Sequence, residues 1–309
     1  MRGVLALSAE IVVSLWAGSD NRTVADVVAA VQRASDAGVQ GVWLPQTLTV
    51  DALTALAVAA HVVPGINLGT AVVPIQGRHP IPLAQQALTV AQVAGPGRFT
   101  LGLGVTHPPI SEGFYGIAYR DVIDLCREEL QALSGLLGPK HRSDHTGAHL
   151  TARGSLMMDA PTPSMVVAAL GPRMLELAGT YADGTVTWMT GRKTLAETIV
   201  PTIAAAAERA GRPSPRVIAG LPVCVTLDIG AARDVIRPRI EGAAGFPSYR
   251  RMLAGEGLAD LADLALIGDA DFVRGSILEL IEAGVTELMA DVFGTPDERD
   301  ATIALLSSF

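Results

Sequence analysis

The stretch AALGPRMLELAGTYADGTVTWMTG, residues 168–191, decides the architecture. An apolar run halts at Leu170-Gly171, Pro172 opens an amphipathic helical pattern, and Asp183-Gly184 closes it before a second apolar run starts at Thr185. A strand, a tight turn, a helix and another strand make the repeating unit of a parallel sheet with helical crossovers. Pro172 suits the first helical position, where its missing N–H would have no partner in any case. Gly171 lets backbone N–H groups approach an anion, which the positive end of a helix favours. The turn raises two readings: a phosphate cradle that needs no catalytic side chain, or a plain tight connection.

Working outward, the same alternation fills the chain. Strand patterns fall at 3–9, 41–45, 66–74, 98–105, 165–170, 185–189, 216–228 and 286–293. Helical patterns fall at 23–37, 51–61, 81–93, 121–137, 194–210, 231–240 and 271–283. Thr23 with Asp26 three residues on suggests an imperfect capping box. Eight buried apolar strands with helical crossovers predict an α/β fold, a TIM (β/α)8 barrel with insertions. An open doubly wound sheet is the alternative. Without a Pro/Ser-rich linker or a short fixed repeat, residues 1–309 read as one domain, with an excursion at about 139–163.

Composition narrows function. The chain has 309 residues, 49% of them hydrophobic, and a net charge of −8. Nucleic-acid binding requires a basic footprint, so none is expected. Arg2 followed by an apolar run resembles a secretory signal, but Ser8 and Glu10 interrupt it, and a first barrel strand is the better reading. No uncharged run is long enough for a membrane span. Cys126 and Cys224 form no CxxC pair and read as reduced core thiols of a cytoplasmic protein.

Several motifs invite chemistry. GLGVTH (102–107) begins like a dinucleotide fingerprint, but His107 stands at the third glycine and two prolines follow, which weakens that reading. GxxxxGK[ST] and GxSxG are absent. His141, His145 and His149 repeat every four residues and would share a face of a helix or a strand. The intervening Ser, Asp and Gly favour a polar surface hairpin over a metal site. His107 lies just past the fourth strand, on the catalytic rim of a barrel, and is a candidate proton donor. A loop histidine packed beside Pro108 is the other reading. Gln46 and Thr47 follow the second strand and share the rim. Glu10 belongs either to the mouth or to a solvated strand end. Trp188 and Met189 end the sixth strand, where an aromatic walls a flat ligand or fills the core.

GVWLPQ (41–46), NLGTAVVPIQGRHPIPLAQQALTVAQVAGPGRFTLGLGV (67–105) and residues 168–191 together resemble the bacterial-luciferase-like flavin and deazaflavin oxidoreductases, most closely the branch using coenzyme F420. The resemblance runs on through LIGDADFV (266–273) to the eighth strand. It implies a TIM barrel that dimerises through the helices after strands two and three, with hydride transfer at a ring bound in the barrel mouth. It also implies a non-prolyl cis peptide at Ala71–Val72 in a bulge eased by Gly69. Val105 and Thr106 would line the ring, and Leu170 and Gly171 would hold the cofactor phosphate. Sugar-phosphate members carry Asp-His after strand two and Glu after strand four. Here those places read Gln46-Thr47 and His107, so that acid/base set is missing. The expectation is a reductase or dehydrogenase acting on a small organic substrate, with His107 as donor and Gln46 and Thr47 orienting. An FMN-dependent monooxygenase, a non-catalytic cofactor-binding protein and an unrelated aldolase-type barrel remain as alternatives.

Overall fold

The computed structural model describes the backbone of residues 10–14 and all of residues 21–309. The strands in chain order are β1 (Glu10–Ser14), β2 (Gly41–Leu44), β3 (Asn67–Thr70), β4 (Val73–Pro74), β5 (Phe99–Gly104) and β6 (Arg142–Thr146). They continue with β7 (Thr151–Ser155), β8 (Ser164–Ala168), β9 (Gly184–Trp188), β10 (Arg216–Val225), β11 (Leu266–Gly268) and β12 (Glu287–Val292). Among the described residues, β1, β2, β3, β5, β8, β9, β10 and β12 pair in parallel in that order, and β12 returns to β1. The ring is closed, so the (β/α)8 barrel is the fold and the open sheet is set aside. The first strand expected at 3–9 lies outside the described residues; β1 begins at Glu10.

Helices α1 (Val24–Asp36), α2 (Ala52–Val62), α3 (Pro80–Ala94), α4 (Val122–Leu137) and α5 (Pro172–Tyr181) match their sequence patterns within one or two residues. Thr23 and Asp26 complete the capping box, with Thr23 N donating to Asp26 Oδ2 at 2.8 Å and Asp26 N to Thr23 Oγ1 at 3.1 Å. A short turn α6 (Arg192–Thr194) runs through a π-helical turn (Leu195–Ile199) into α7 (Val200–Arg209). Then come α8 (Ile229–Ala244), α9 (Pro247–Glu256), α10 (Ala270–Glu282) and α11 (Pro296–Leu306). The sequence reading missed α9 and α11 and cut α8 short. Pro238 inside α8 and the glycines around Pro247 obscure any 3.6-residue period there. The excursion at 139–163 holds the antiparallel hairpin β6–β7, as expected for a polar hairpin.

Alternation along the strands sorts side chains into two cores. Outward residues such as Leu101, Leu103, Val167 and Leu288 pack beneath the helices, each contributing about 1.5–3 kcal/mol on burial. Inward residues stack in layers, as the taper of a barrel requires. At the N-terminal end Arg216 forks onto Glu287, with Nη2 at 2.7 Å from Oε2, while Nη1 reaches Thr100 Oγ1 at 3.1 Å and Ser164 Oγ at 3.0 Å. Above this plug lie Trp43, Val166, Val186, Ile218 and Met289, all buried. Ala71, Val72, Ala168 and Trp188 pack on top of them, half-buried, and face the C-terminal mouth. Cys126 and Cys224 are buried free thiols. No helix among the described residues is long and apolar enough to cross a membrane.

Candidate active site at the barrel mouth

The floor of the mouth comes from a bulge. Gly69 pairs with Thr100 and Val73 with Leu103, so Thr70, Ala71 and Val72 oppose only Leu101 and Gly102. One residue is extra, and the strand bends. The Ala71–Val72 peptide in this bulge is cis, as the family resemblance implied. The hydroxyl of Thr70 replaces the lost ladder bonds, donating to Gly102 O at 2.9 Å and accepting from Gly102 N at 2.9 Å. The glycines of GLG, which began like a dinucleotide fingerprint, serve this bulge. A Cβ at Gly102 would overlap the Thr70 carbonyl, and one at Gly104 would lie 2.7 Å from Val72 Cγ2.

Gly69 lies in the layer of Trp43, below Ala71 and Val72. A Cβ there would lie 2.6 Å from the Trp43 indole, so the glycine admits Trp43 to the barrel interior. Val105 continues the outward series of Leu101 and Leu103 and packs against the outer core, away from the mouth. Thr106 faces inward. It lines a cleft of about 450 Å³ with Gln46, Thr47, Leu48, Thr49, Pro74, Ile110 and Tyr115. Gln46 is partly committed to structure, because its Oε1 accepts the Ala52 N–H at 2.8 Å and helps cap α2. Thr47 Oγ1 lies 3.2 Å from Thr49 Oγ1.

His107 is on the rim but packed, its ring stacked on Phe246 at 3.7 Å with planes 9° apart. Burial pushes its imidazole below the ordinary value, which leaves it uncharged at neutral pH. Phe246 opens α9, whose last residue, Glu256, accepts from Thr194 N at 2.6 Å and Lys193 N at 3.3 Å. Helix α9 is therefore fastened across the rim at both ends.

Leu170 and Gly171 follow the fifth barrel strand, which ends at Ala168, and Leu170 is half-buried. Gly171 caps α5 with extended backbone (φ −95°, ψ 154°) and no side-chain bond, and a Cβ there would meet nothing within 4 Å. Other helix starts on the rim are filled by the chain itself. Asp51 caps α2, Asp228 caps α8, Glu298 closes the box at α11 and Glu256 covers α6. α4 also lacks a cap, but Asp121 and Asp124 stand there and repel an anion.

Two buried polar groups near the C-terminal ends of the strands escaped the sequence reading. Gln76 accepts the Thr106 N–H at 3.0 Å through Oε1, while its buried Nε2 has no hydrogen-bond partner. Asp291, 2% exposed, ends the inward series Glu287, Met289, Asp291 of β12, and Arg239 of α8 reaches it. An acid two residues from the end of an apolar strand was the signal available for Asp291; Gln76 left none. The three spaced histidines diverge. His141 Nδ1 meets Leu136 O at 3.2 Å, His145 lies 3.7 Å from Glu128, and His149 donates its backbone N–H to Glu128 at 2.9 Å.

The residues present fit a flat cofactor with a phosphate tail: an apolar floor, an unpartnered amide donor beside the cleft, and an open helix N-terminus. The chain is 31% identical over 279 residues to 5,10-methylenetetrahydromethanopterin reductase of Methanolobus tindarius, covering 87% of this chain and 83% of that protein. An F420-dependent secondary alcohol dehydrogenase in complex with an F420-acetone adduct superposes with a TM-score of 0.82 at 18% identity, covering 97% of this chain and 98% of that one. The oxygenating constituent of 3,6-diketocamphane monooxygenase of Pseudomonas putida, in complex with FMN, superposes with a TM-score of 0.77 at 19% identity, covering 97% of both chains. The model of the luciferase-like monooxygenase family matches residues 4–287, and the chain belongs to that family of oxidoreductases.

Proposed function

We propose that the chain is a coenzyme F420-dependent oxidoreductase moving a hydride between the deazaflavin and a small organic substrate. The observation that carries the reading is the pairing of a flat apolar floor with an uncapped helix N-terminus on the same rim. Relatives named as F420-dependent oxidoreductases, 28% and 30% identical to this chain, favour the deazaflavin over other rings. When bound, the cofactor supplies the carbon that gives or takes the hydride. Ala71, Val72, Ala168 and Trp188 keep water from one face of the ring. Gln76 Nε2 would donate to a ring carbonyl, and the backbone N–H groups of Gly171 and of the first turn of α5 beyond Pro172 would hold the phosphate. His107, uncharged and held by Phe246, acts as a hydrogen-bond donor to the substrate, and Thr47 orients it. His107→Ala is expected to lower turnover while leaving cofactor affinity nearly intact; equal losses in both would assign His107 a structural role.

An FMN-dependent monooxygenase is the second reading, favoured by the family's description, because the floor and cradle serve either ring. Exposed Val58 and Val62 on α2 and Val93 on α3 support a homodimer through those helices, and the buried thiols support a cytoplasmic setting. A fluorescence titration of apo-protein with coenzyme F420, and in parallel with FMN, tests the reading. Micromolar or tighter binding of the deazaflavin is expected. Preference for FMN moves the assignment to the monooxygenase, and binding of neither overturns it.

A further inference from the structure

Between β4 and α3 the chain reads Gln76-Gly77-Arg78-His79, and each of these residues reaches a different neighbour of the mouth. The turn closes through Arg78 N, which donates to Ile75 O at 3.3 Å, and Ile75 N joins it to the end of β5 by donating to Gly104 O at 3.0 Å. Gln76 accepts the Thr106 N–H. Gly77 takes φ +78°, and a Cβ there would stand 3.8 Å from Ile117 Cδ1 and Tyr115 Cδ2. Arg78 forks, with Nη2 donating to Asp51 Oδ2 at 2.7 Å and Nη1 to Gln86 Oε1 at 2.8 Å. His79 Nδ1 accepts the Ile81 N–H at 3.2 Å. Its proton therefore sits on Nε2, which donates to Thr151 O of the β6–β7 hairpin at 3.0 Å.

The partner of Arg78 has two duties. Asp51 caps α2 through Oδ1, which accepts from Thr54 N at 2.9 Å and Thr54 Oγ1 at 2.8 Å, and this leaves Oδ2 to Arg78. Burial pushes the Asp51 carboxyl up, and the bonds from Arg78 and Thr54 more than offset it, so the group lies below the ordinary carboxylate value and is ionised at neutral pH. The two side chains are 22% and 33% exposed, and a lone pair so placed contributes little to stability. Its effect is geometric. The β2–α2 connection carries Gln46, Thr47, Leu48 and Thr49 along the cleft, and Gln46 Oε1 holds Ala52 N right beside Asp51. The β4–α3 turn carries Gln76 against Thr106, which lines the same cleft. The Arg78–Asp51 bond is a direct tie between these two connections.

We propose that Arg78 is a positioning residue of the mouth: its fork onto Asp51 and Gln86 fixes the β4–α3 turn, keeps the Gln76 amide in place against Thr106, and thereby sets the affinity of the site for its ring. The inference rests on the reading above in which Gln76 Nε2 serves a ring carbonyl. Gln76 is 4% exposed and its Nε2 has no partner within the chain. A buried donor of this kind rewards an acceptor only where the rest of its side chain is held still. Arg78 can hold it because the planar guanidinium engages α2 and α3 at once. The ammonium of a lysine is a point charge on a flexible stem and does not reproduce that fork.

The test uses the full chain and two readouts. Hydrogen exchange at the Thr106 amide, the proton that Gln76 Oε1 holds, reports the placement of the turn without any cofactor. Arg78→Met keeps the apolar stem and removes the fork, and is expected to speed that exchange by about threefold or more. Asp51→Asn keeps a good cap on α2 and removes the charge that Arg78 meets; it is expected to speed the same exchange while Tm moves by less than about 2 °C. Coenzyme F420 is then titrated by fluorescence. Each variant should weaken binding by about threefold or more, and the double variant no further than the worse of the two, as for partners in one bond. Thr106 exchange unchanged in the variants, or affinity losses that add in the double variant, overturns the proposal. If Arg78→Met does not fold, Arg78→Lys takes its place in both readouts. A wild type that does not bind the deazaflavin sinks the cofactor reading instead, and the exchange rates still decide whether Arg78 holds Gln76.

Discussion

Gly69→Ala is the sharpest probe of how the barrel supports its mouth. The new Cβ would lie 2.6, 2.7 and 2.8 Å from Trp43 Cδ2, Cε3 and Cε2. Optimal carbon contacts are about 3.5–4.0 Å, so roughly 1 Å of displacement is required. The indole cannot retreat, because Val166, Val186, Ile218 and Met289 hold it at 3% exposure. Overpacking of this kind costs about 1–3 kcal/mol. At roughly 2–4 °C per kcal/mol for a chain of this class, Tm should fall by about 2–12 °C. The decisive assay is a double-mutant cycle by urea denaturation with Trp43→Leu, which removes the ring atoms nearest the new methyl. In that background Gly69→Ala should cost little, giving a coupling of about 1–2 kcal/mol. An equal cost in both backgrounds would refute the claim that Gly69 exists to admit the indole.

Gly171→Asp should leave stability unchanged or raise it by about 0.5–1 kcal/mol, because an N-cap carboxylate suits α5 and the space there is open. The same variant should weaken cofactor binding at least tenfold, and unchanged affinity in a titration would remove the phosphate from that turn. Glu287→Gln breaks the fork with Arg216, which is 29% exposed at the side chain, and should cost about 1–3 kcal/mol in denaturant with kcat nearly intact; a kcat collapse would place the plug in the chemistry. Asp291 has its carboxyl raised from 3.8 to about 6, so the folded state binds the extra proton. The contribution of this group to stability is then fully present below about pH 4 and is lost, by about 3 kcal/mol, as pH climbs through 6, and Asp291→Asn should flatten that component of the curve. Parallel curves for variant and wild type would show that burial does not raise this group.

Much of the architecture was legible because its signals are local. Thr23, Asp51 and Pro172 announce helix starts through groups within three residues, and apolar runs of four to six residues announce buried strands. The site was legible only in part. Ala71–Val72, Thr106 and Gly171 came through family resemblance, and Thr47 through its place after a strand. Gly69 and Val105 were assigned to the cofactor because sequence gives position along a strand but not the side that faces inward across a bulge. The role of GLG depends on Thr70 and Val72, some thirty residues away, and nothing near those glycines reveals it. Gln76 becomes a candidate only when its Nε2 is found buried without a partner. Helix α9 is held by Phe246 on His107 and Glu256 on α6, contacts between distant segments that leave no periodic trace.

The placement of Glu287 and Asp291 on one strand bears on how the chain finds its fold. β12 joins β1 to β10, and a slip of one residue in its pairing would exchange the inner and outer sets. Both carboxylates would then enter the hydrocarbon beneath α10 and α11, far from Arg216 and Arg239. A buried carboxylate without a partner is expensive, by several kcal/mol even after relaxation. Leu288 and Ala290, bland as they are, would scarcely object to the exchange. The two acids therefore act as proofreading marks for barrel closure, and a variant lacking both should close more often in a wrong alignment.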